Sequence, residues 1–234
     1  VEIKHAGGTA GNSPQPIWEQ AARQFRQVVK SGDTGNVLIF MPGAYEIDRT
    51  LQELRKVPES RGYDLLALHG QLPPSQQDQA LNPDGPSKVI VSTNVAETSL
   101  TIPGISTVID SGLAKIPSFD PSRSINTLLT EPISQASADQ RAGRAGRERP
   151  GKAIRLWSAA MHAHRPLFET PEIKRVDLSE TWLSLAASSW VHPQEVNWYE
   201  APEGRQMTQT LSLLSDLGAI DSTTGKATTL GRQM

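Results

Sequence analysis

Gln140-Arg141-Ala142-Gly143-Arg144-Ala145-Gly146-Arg147 sets three arginines within seven residues, separated by alanine and glycine that let a polyanion approach closely. Guanidinium groups stay charged and match phosphate oxygens two at a time. Arg144 and Arg147, three apart, share a face if the segment is helical. Gln140 is neutral and both donates and accepts, which suits orienting a water or a phosphate oxygen. The plain alternative is a solvated basic helix. Arg141 is the member whose side chain is expected to turn away and pair with a carboxylate.

A second group of polar residues follows apolar runs. Ser92-Thr93-Asn94 comes directly after Val89-Ile-Val91. Hydroxyl, amide and backbone N–H groups at such a place suit the phosphate oxygens of a single strand and read no sequence. Pro42-Gly43 is expected to shape a turn that exposes backbone donors, and His69-Gly70-Gln71-Leu72 to add further backbone contacts. His69 has no partner cluster that would make it a metal ligand or a base. His162 and His164, two apart, suit neither a helical zinc pair nor a catalytic dyad and are expected in solvent.

The surrounding pattern positions these groups. Ile17 to Lys30 has apolar residues at helical spacing and stops at Ser31-Gly32. Val37 to Met41 is a continuous apolar run before Pro42-Gly43, as in a buried parallel strand. Helical spacing returns from Ala44 to Val57 and from Ser75 to Leu81. Asp64 to Leu68, Val89 to Val91 and Thr107 to Ile109 read as further strands, with a turn or short helix from Val95 to Leu100. Such alternation predicts an α/β fold, a parallel sheet flanked by helices, with ligands at the carboxyl ends of its strands. Between residues 113 and 130 two polar/apolar alternating stretches flank Asp120-Pro-Ser-Arg123, a turn sequence, and predict a projecting β-hairpin. After Thr170-Pro171 the chain reads as helical, over Leu178 to Ala187 and Met207 to Leu217. Tryptophans 182, 190 and 198 are expected in the core of this later part rather than as base platforms.

The 234 residues suffice for one large domain or a medium one with a small companion, and the net charge of −2 excludes a global basic footprint. The absence of cysteine excludes disulfides and thiolate metal sites and fits a cytoplasmic location. No apolar run is long enough to span a bilayer as a helix, so no membrane partner is expected.

The arginine string resembles motif VI of superfamily 2 helicases. Val37-Leu-Ile-Phe-Met-Pro-Gly-Ala-Tyr-Glu-Ile47 looks like motif IV of their DEAH-box branch, and Lys88-Val-Ile-Val-Ser-Thr-Asn-Val-Ala-Glu-Thr-Ser-Leu-Thr-Ile-Pro-Gly-Ile105 like its motif V, in the family's order. The resemblance implies a second RecA-like lobe over residues 1–168. Leu217 to Met234 resembles the end of the family's winged-helix domain, which would occupy 169–234. Trp190-Val-His-Pro with Trp198 resembles the bacterial HrpB type of ATP-dependent RNA helicase.

By position in the motifs, Arg144 and Arg147 are then arginine fingers for ATP hydrolysis, with Gln140 beside them. The Glu97-Thr98-Ser99 end of motif V couples to the nucleotide, with Thr98 and Ser99 binding it. Pro42, Gly43, His69, Gly70, Thr93, Asn94 and the hairpin's Arg123 line the path of single-stranded RNA. Two positions depart from the family pattern: Pro103 stands where an acid is common, and Leu81 where an aromatic stacks on the nucleobase. Leucine there forfeits about 1–3 kcal/mol of stacking, so weak base discrimination is expected.

Neither a G-x-x-x-x-G-K-[ST] loop nor a D-E-A-H string occurs in the chain. The expectation is therefore a fragment whose first RecA-like lobe lies upstream and holds most of the ATP and its Mg2+, and which hydrolyses no ATP alone. The family's further domains would follow Met234. Two alternatives stand beside this: the same engine acting on DNA, and a non-catalytic helicase-like docking module.

Overall fold

The computed structural model describes residues 1–6, 15–98, 100–120, 125–148, 150–188 and 196–234. They divide into two compact units, Val1–Lys115 with Thr130–Glu169, and Ile116–Leu129 with Thr170–Met234.

In the first unit the elements run β1 (Glu2–His5), α1 (Ile17–Lys30), β2 (Asn36–Phe40), α2 (Ala44–Lys56), β3 (Asp64–Leu68), α3 (Pro74–Leu81), β4 (Lys88–Ser92), β5 (Ile105–Asp110), the root of a hairpin formed by β6 (Leu113–Asp120) and β7 (Ile125–Pro132), α4 (Gln135–Ala142), β8 (Lys152–Arg155) and α5 (Ala159–Ala163). Six strands form one sheet in the order β1-β8-β5-β2-β4-β3. Every pairing in it is parallel. This is the RecA-like architecture expected, a parallel sheet with helices on both faces.

Strand residues alternate between two apolar layers. Val37, Ile39, Val89, Val91 and Ile109 face Ala21, Phe25, Ile47, Leu51 and Leu54 of α1 and α2. Leu38, Phe40, Ile90 and Val108 face Ala80, Ala96, Ala142 and Ala145 on the other side. A strand buried on both faces must be apolar at every position, which is why β2 reads as an unbroken run. Each fully buried Phe or Leu contributes about 1.5–3 kcal/mol. The small residues of the second layer let the arginine string lie close against the sheet. Gly151 is essential there, since a Cβ on it would sit 1.8 Å from the Ala145 carbonyl oxygen.

In the second unit Ile116–Leu129 is the distal part of the hairpin formed by β6 (Leu113–Asp120) and β7 (Ile125–Pro132). The hairpin is not a bare projection. The Phe119 amide donates to the Arg175 carbonyl at 2.6 Å, and the Arg175 guanidinium donates to the Pro117 carbonyl at 2.6 Å. The Asp177 amide donates to the Asn126 side chain at 3.0 Å. Helices α6 (Ser179–Ala187) and α7 (Gly204–Asp216) pack Trp182, Leu214, Ala219, Ile220 and Ala227 together, with Trp198 against them. The core role expected of Trp182 and Trp198 is met, while Trp190 lies outside the described residues. Ile220 and Ala227 form an antiparallel bridge around the Asp221–Thr224 turn.

Candidate functional site

The carboxyl ends of β2, β3 and β4 are stitched into one rim. The Met41 amide donates to the Ser92 carbonyl at 2.8 Å, and the Thr93 amide to the Leu68 carbonyl at 3.2 Å. The Ser92 hydroxyl donates to the same Leu68 oxygen at 2.9 Å. Thr93 is half-buried and caps a short 3-10 turn, Asn94–Ala96, on which Asn94 is exposed. His69 is half-buried and Gly70 exposed at the neighbouring corner, closed by a Leu72 amide bond to the His69 carbonyl at 3.1 Å. The rim therefore brings His69, Gly70, Thr93 and Asn94 together.

Pro42 and Gly43 differ from expectation, because both are buried rather than open to solvent. The end of the Lys115 side chain lies over Gly43, so close that a Cβ there would be 2.7 Å from its Cε. Leu81, at the end of α3, is half-buried against the second apolar layer. Pro103 gives its carbonyl to the Asn36 amide nitrogen at 3.1 Å, a packing role in place of an acid. Ser99 and Arg123 lie outside the described residues; Thr98 is exposed.

The arginine string straddles two elements. Helix α4, capped where the Ser137 amide donates to the Ser134 hydroxyl at 3.1 Å, ends at Ala142, and Gly143–Gly146 continues as a 3-10 turn. Gln140 and Arg147 are exposed, while Arg141 and Arg144 are buried. Arg141 turns away, as expected, and is fully enclosed. Its Nε donates to Glu97 Oε2 at 2.9 Å and its Nη1 to Asp110 Oδ1 at 3.0 Å, with the Leu113 carbonyl at 3.2 Å. Its guanidinium stacks 4.8 Å from the Phe40 ring centroid. Burial lowers the guanidinium pKa, but Asp110 and Glu97 outweigh it and hold it above the ordinary value.

Arg144 clamps the loop after β4. Its Nε and Nη2 both donate to the Glu97 carbonyl, and its Nη1 donates to the Leu100 carbonyl at 2.5 Å. Burial and then the nearby Arg147 pull its pKa below the ordinary value, with Glu97 opposing. An arginine so shifted still keeps its charge. Arg147 donates to the Thr101 hydroxyl at 3.1 Å. Glu97 is thus gripped at both ends, by its carboxylate and by its carbonyl. Asp110 is the residue that reading the chain alone missed, and Glu97, expected only to couple to the nucleotide, is in addition the carboxylate partner of Arg141. The signal for Asp110 was an acid closing the apolar strand Val108-Ile109.

His162 also departs from expectation. Rather than standing in solvent, it accepts from Arg155 Nη1 on Nε2 at 3.1 Å. Its ring lies 5.6 Å from His5 and 6.2 Å from Trp157 between centroids. Arg155 also pairs with Asp139, beside Gln140, at 2.5 Å. Burial, then Arg155 and His5, push the His162 pKa below the ordinary imidazole value, with Asp139 opposing and Arg165 a further lowering charge. The folded state therefore binds this proton less readily than the unfolded chain. Its stabilising share is present above an unfolded pKa of about 6.5 and is lost as pH falls through the lower folded value. The thermal midpoint is expected to drop between about pH 7 and about pH 5, and His162→Gln to flatten that drop. Equal slopes in the two proteins would return His162 to solvent.

Among the described residues no three His, Cys, Asp or Glu side chains gather as a metal site, and no helix is long and apolar enough to cross a membrane.

Comparison with known proteins agrees with this geometry. Residues 20–149 match the family model described as helicase conserved C-terminal domain. The chain is similar to the ATP-dependent RNA helicase HrpA of Escherichia coli K12, 40% identical over 204 residues covering 86% of this chain and 16% of the relative. It is 37% identical over 206 residues to the HrpA homolog of Haemophilus influenzae, covering 86% of this chain and 16% of that protein. Two solved structures of E. coli HrpB, described as a DExH-box NTPase and as a DEAH/RHA helicase, superpose with TM-scores of 0.83 and 0.87 at 32% identity. They cover 100% and 99% of this chain, which spans 28% and 29% of theirs.

Proposed function

The chain belongs to the helicase conserved C-terminal domain family, and on that premise we propose that it is the second RecA-like lobe and winged helix of an ATP-dependent DEAH-box RNA helicase. The observation that carries the reading is the double grip on Glu97. Arg141 and Arg144 tie the loop bearing Thr93 and Asn94 to the end of α4, which bears Gln140, and to the turn that leads to Arg147. A change at one end of that link is transmitted to the other, which is what coupling of hydrolysis to a nucleic-acid strand requires.

In this reading Arg147 and Arg144 bring positive charge to the γ-phosphate as charge develops there, and Gln140 orients the attacking water. Thr98 and Ser99 sense the nucleotide, and Leu81 covers its base by apolar contact. Mg2+ neutralises phosphate charge in this chemistry. The reading assigns its binding mainly to the first RecA-like lobe. The nucleic-acid side comprises His69, Gly70, Thr93 and Asn94, with Arg123 assigned to it from its position in the sequence alone. Pro42 and Gly43 shape the corner from beneath Lys115 rather than offering open donors. The Ile220–Ala227 bridge with its turn is the proposed wing.

The test is Thr93→Ala in the full-length protein. RNA-stimulated ATPase and unwinding are expected to fall severalfold, about equally for all RNA sequences, with basal ATPase much less affected. Retention of full RNA stimulation and unwinding would remove this face from the strand path. Matched RNA- and DNA-tailed duplexes separate an RNA helicase from a DNA helicase, because phosphate contacts do not read the sugar.

A further inference from the structure

We propose that Tyr45, supported by Trp18 and Arg49, is a stacking site for one base of single-stranded nucleic acid at the edge of the rim. The inference rests on the reading above and adds to it a contact to base rather than to backbone. Tyr45 stands in the first turn of α2, two residues beyond Gly43, and is 62% exposed. A lone exposed tyrosine is ordinary. This one is held in place, since the half-buried Trp18 of α1 meets it edge-to-face with ring centroids 5.9 Å apart and planes at 90°. One helical turn on, the Arg49 guanidinium lies 5.7 Å from the Trp18 ring centroid. Arg49 Nη1 donates to Gln52 at 3.2 Å, which keeps the guanidinium near the ring.

An aromatic serving the core would be covered, and one serving only solubility would need no support. Here a fixed ring leaves most of its surface in water, with a guanidinium against the Trp18 that supports it and, over neighbouring Gly43, the Lys115 ammonium next to the Glu46 carboxylate. Sequence-independent single-strand sites combine these features: a π-face for a base, and positive charge beside it for the backbone. The position also fits the occupant. Tyr45 follows the carboxyl end of β2, which is joined to Ser92 and so to Thr93 of the proposed strand path.

The experiment measures binding of the full-length protein to a fluorescein-labelled oligouridine RNA and to an abasic strand of equal length, over a range of salt. Tyr45→Ala is expected to weaken RNA binding by about five- to hundredfold, and by a similar factor at each salt concentration, because stacking releases no counterions. Tyr45→Phe should keep most of the affinity. On the abasic strand Tyr45→Ala should make no difference. Unchanged RNA affinity in Tyr45→Ala, with Thr93→Ala still impaired, overturns the stacking site and leaves the strand path standing. A lower unfolding midpoint in Tyr45→Ala without an affinity change assigns the ring to a protein contact elsewhere in the polypeptide and also overturns it. Failure of the unaltered protein to bind the strand would overturn both readings.

Discussion

Arg147→Ala in the full-length protein is expected to lower kcat for ATP by at least about a hundredfold, while nucleotide affinity falls far less. The difference follows from timing. A finger interacts with charge that grows on the γ-phosphate only as the bond breaks, so its loss is felt in the transition state rather than in the bound ground state. The fold should survive, because Arg147 is exposed and among the described residues bonds only to the Thr101 hydroxyl. Arg147→Lys should recover only part of the rate, since an ammonium lacks the fork that matches two phosphate oxygens. Arg144→Ala is expected to lose turnover on a similar scale by a mixed route. It also strips the Glu97 and Leu100 carbonyls of their donor, so RNA stimulation and thermal stability should fall together. Steady-state kinetics with the thermal midpoint as control separates the two variants. Near-normal turnover in both would make these arginines structural.

Where one element carries its own signal, the chain alone was enough to read it. Val37 to Met41 is apolar at every position because both faces of β2 are covered, and α1 and α2 show their apolar stripe at helical spacing. The motif strings singled out Gln140, Arg144, Arg147 and Thr93 as the site residues proposed here. What escaped depends on partners far along the chain. β1 is a polar edge, Glu2-Ile-Lys-His5, that exists as a strand only because β8 pairs with it 150 residues later. Pro42 and Gly43 read as an open turn, but Lys115 arrives from after β5 to cover them. His162 looked solvated because nothing near it in sequence reveals that His5, Arg155 and Trp157 converge there. The same holds for Arg141: a carboxylate partner was foreseeable, but Glu97 comes from the loop after β4 and Asp110 from the end of β5, which only the fold brings together.

Arg141→Ala is accordingly expected to destabilise the protein by about 3–5 kcal/mol, the cost of leaving buried charges without their counter-ion. At roughly 2–4 °C per kcal/mol for a domain of this size, the thermal midpoint should fall by about 6–20 °C. The effect is large because no water reaches the site: Arg141 is 0% exposed and Asp110 is 2% exposed. The network is already short of partners, since among the described residues Asp110 Oδ2 and Arg141 Nη2 make no hydrogen bond. Loss of the guanidinium would leave Asp110 with the Gly112 amide, at 2.8 Å, in place of an ion pair. Arg141→Met tests whether charge or volume matters. It refills the space over Phe40 but still strands both acids, so it should recover little. Arg141→Met combined with Asp110→Asn and Glu97→Gln should recover much more, because a buried ion pair replaced as a whole is often nearly neutral. That non-additive pattern is the signature of one coupled network. A midpoint for Arg141→Ala within a degree or two of the unaltered protein would mean that the acids find water, and that Arg141 is not what holds motif V against the sheet.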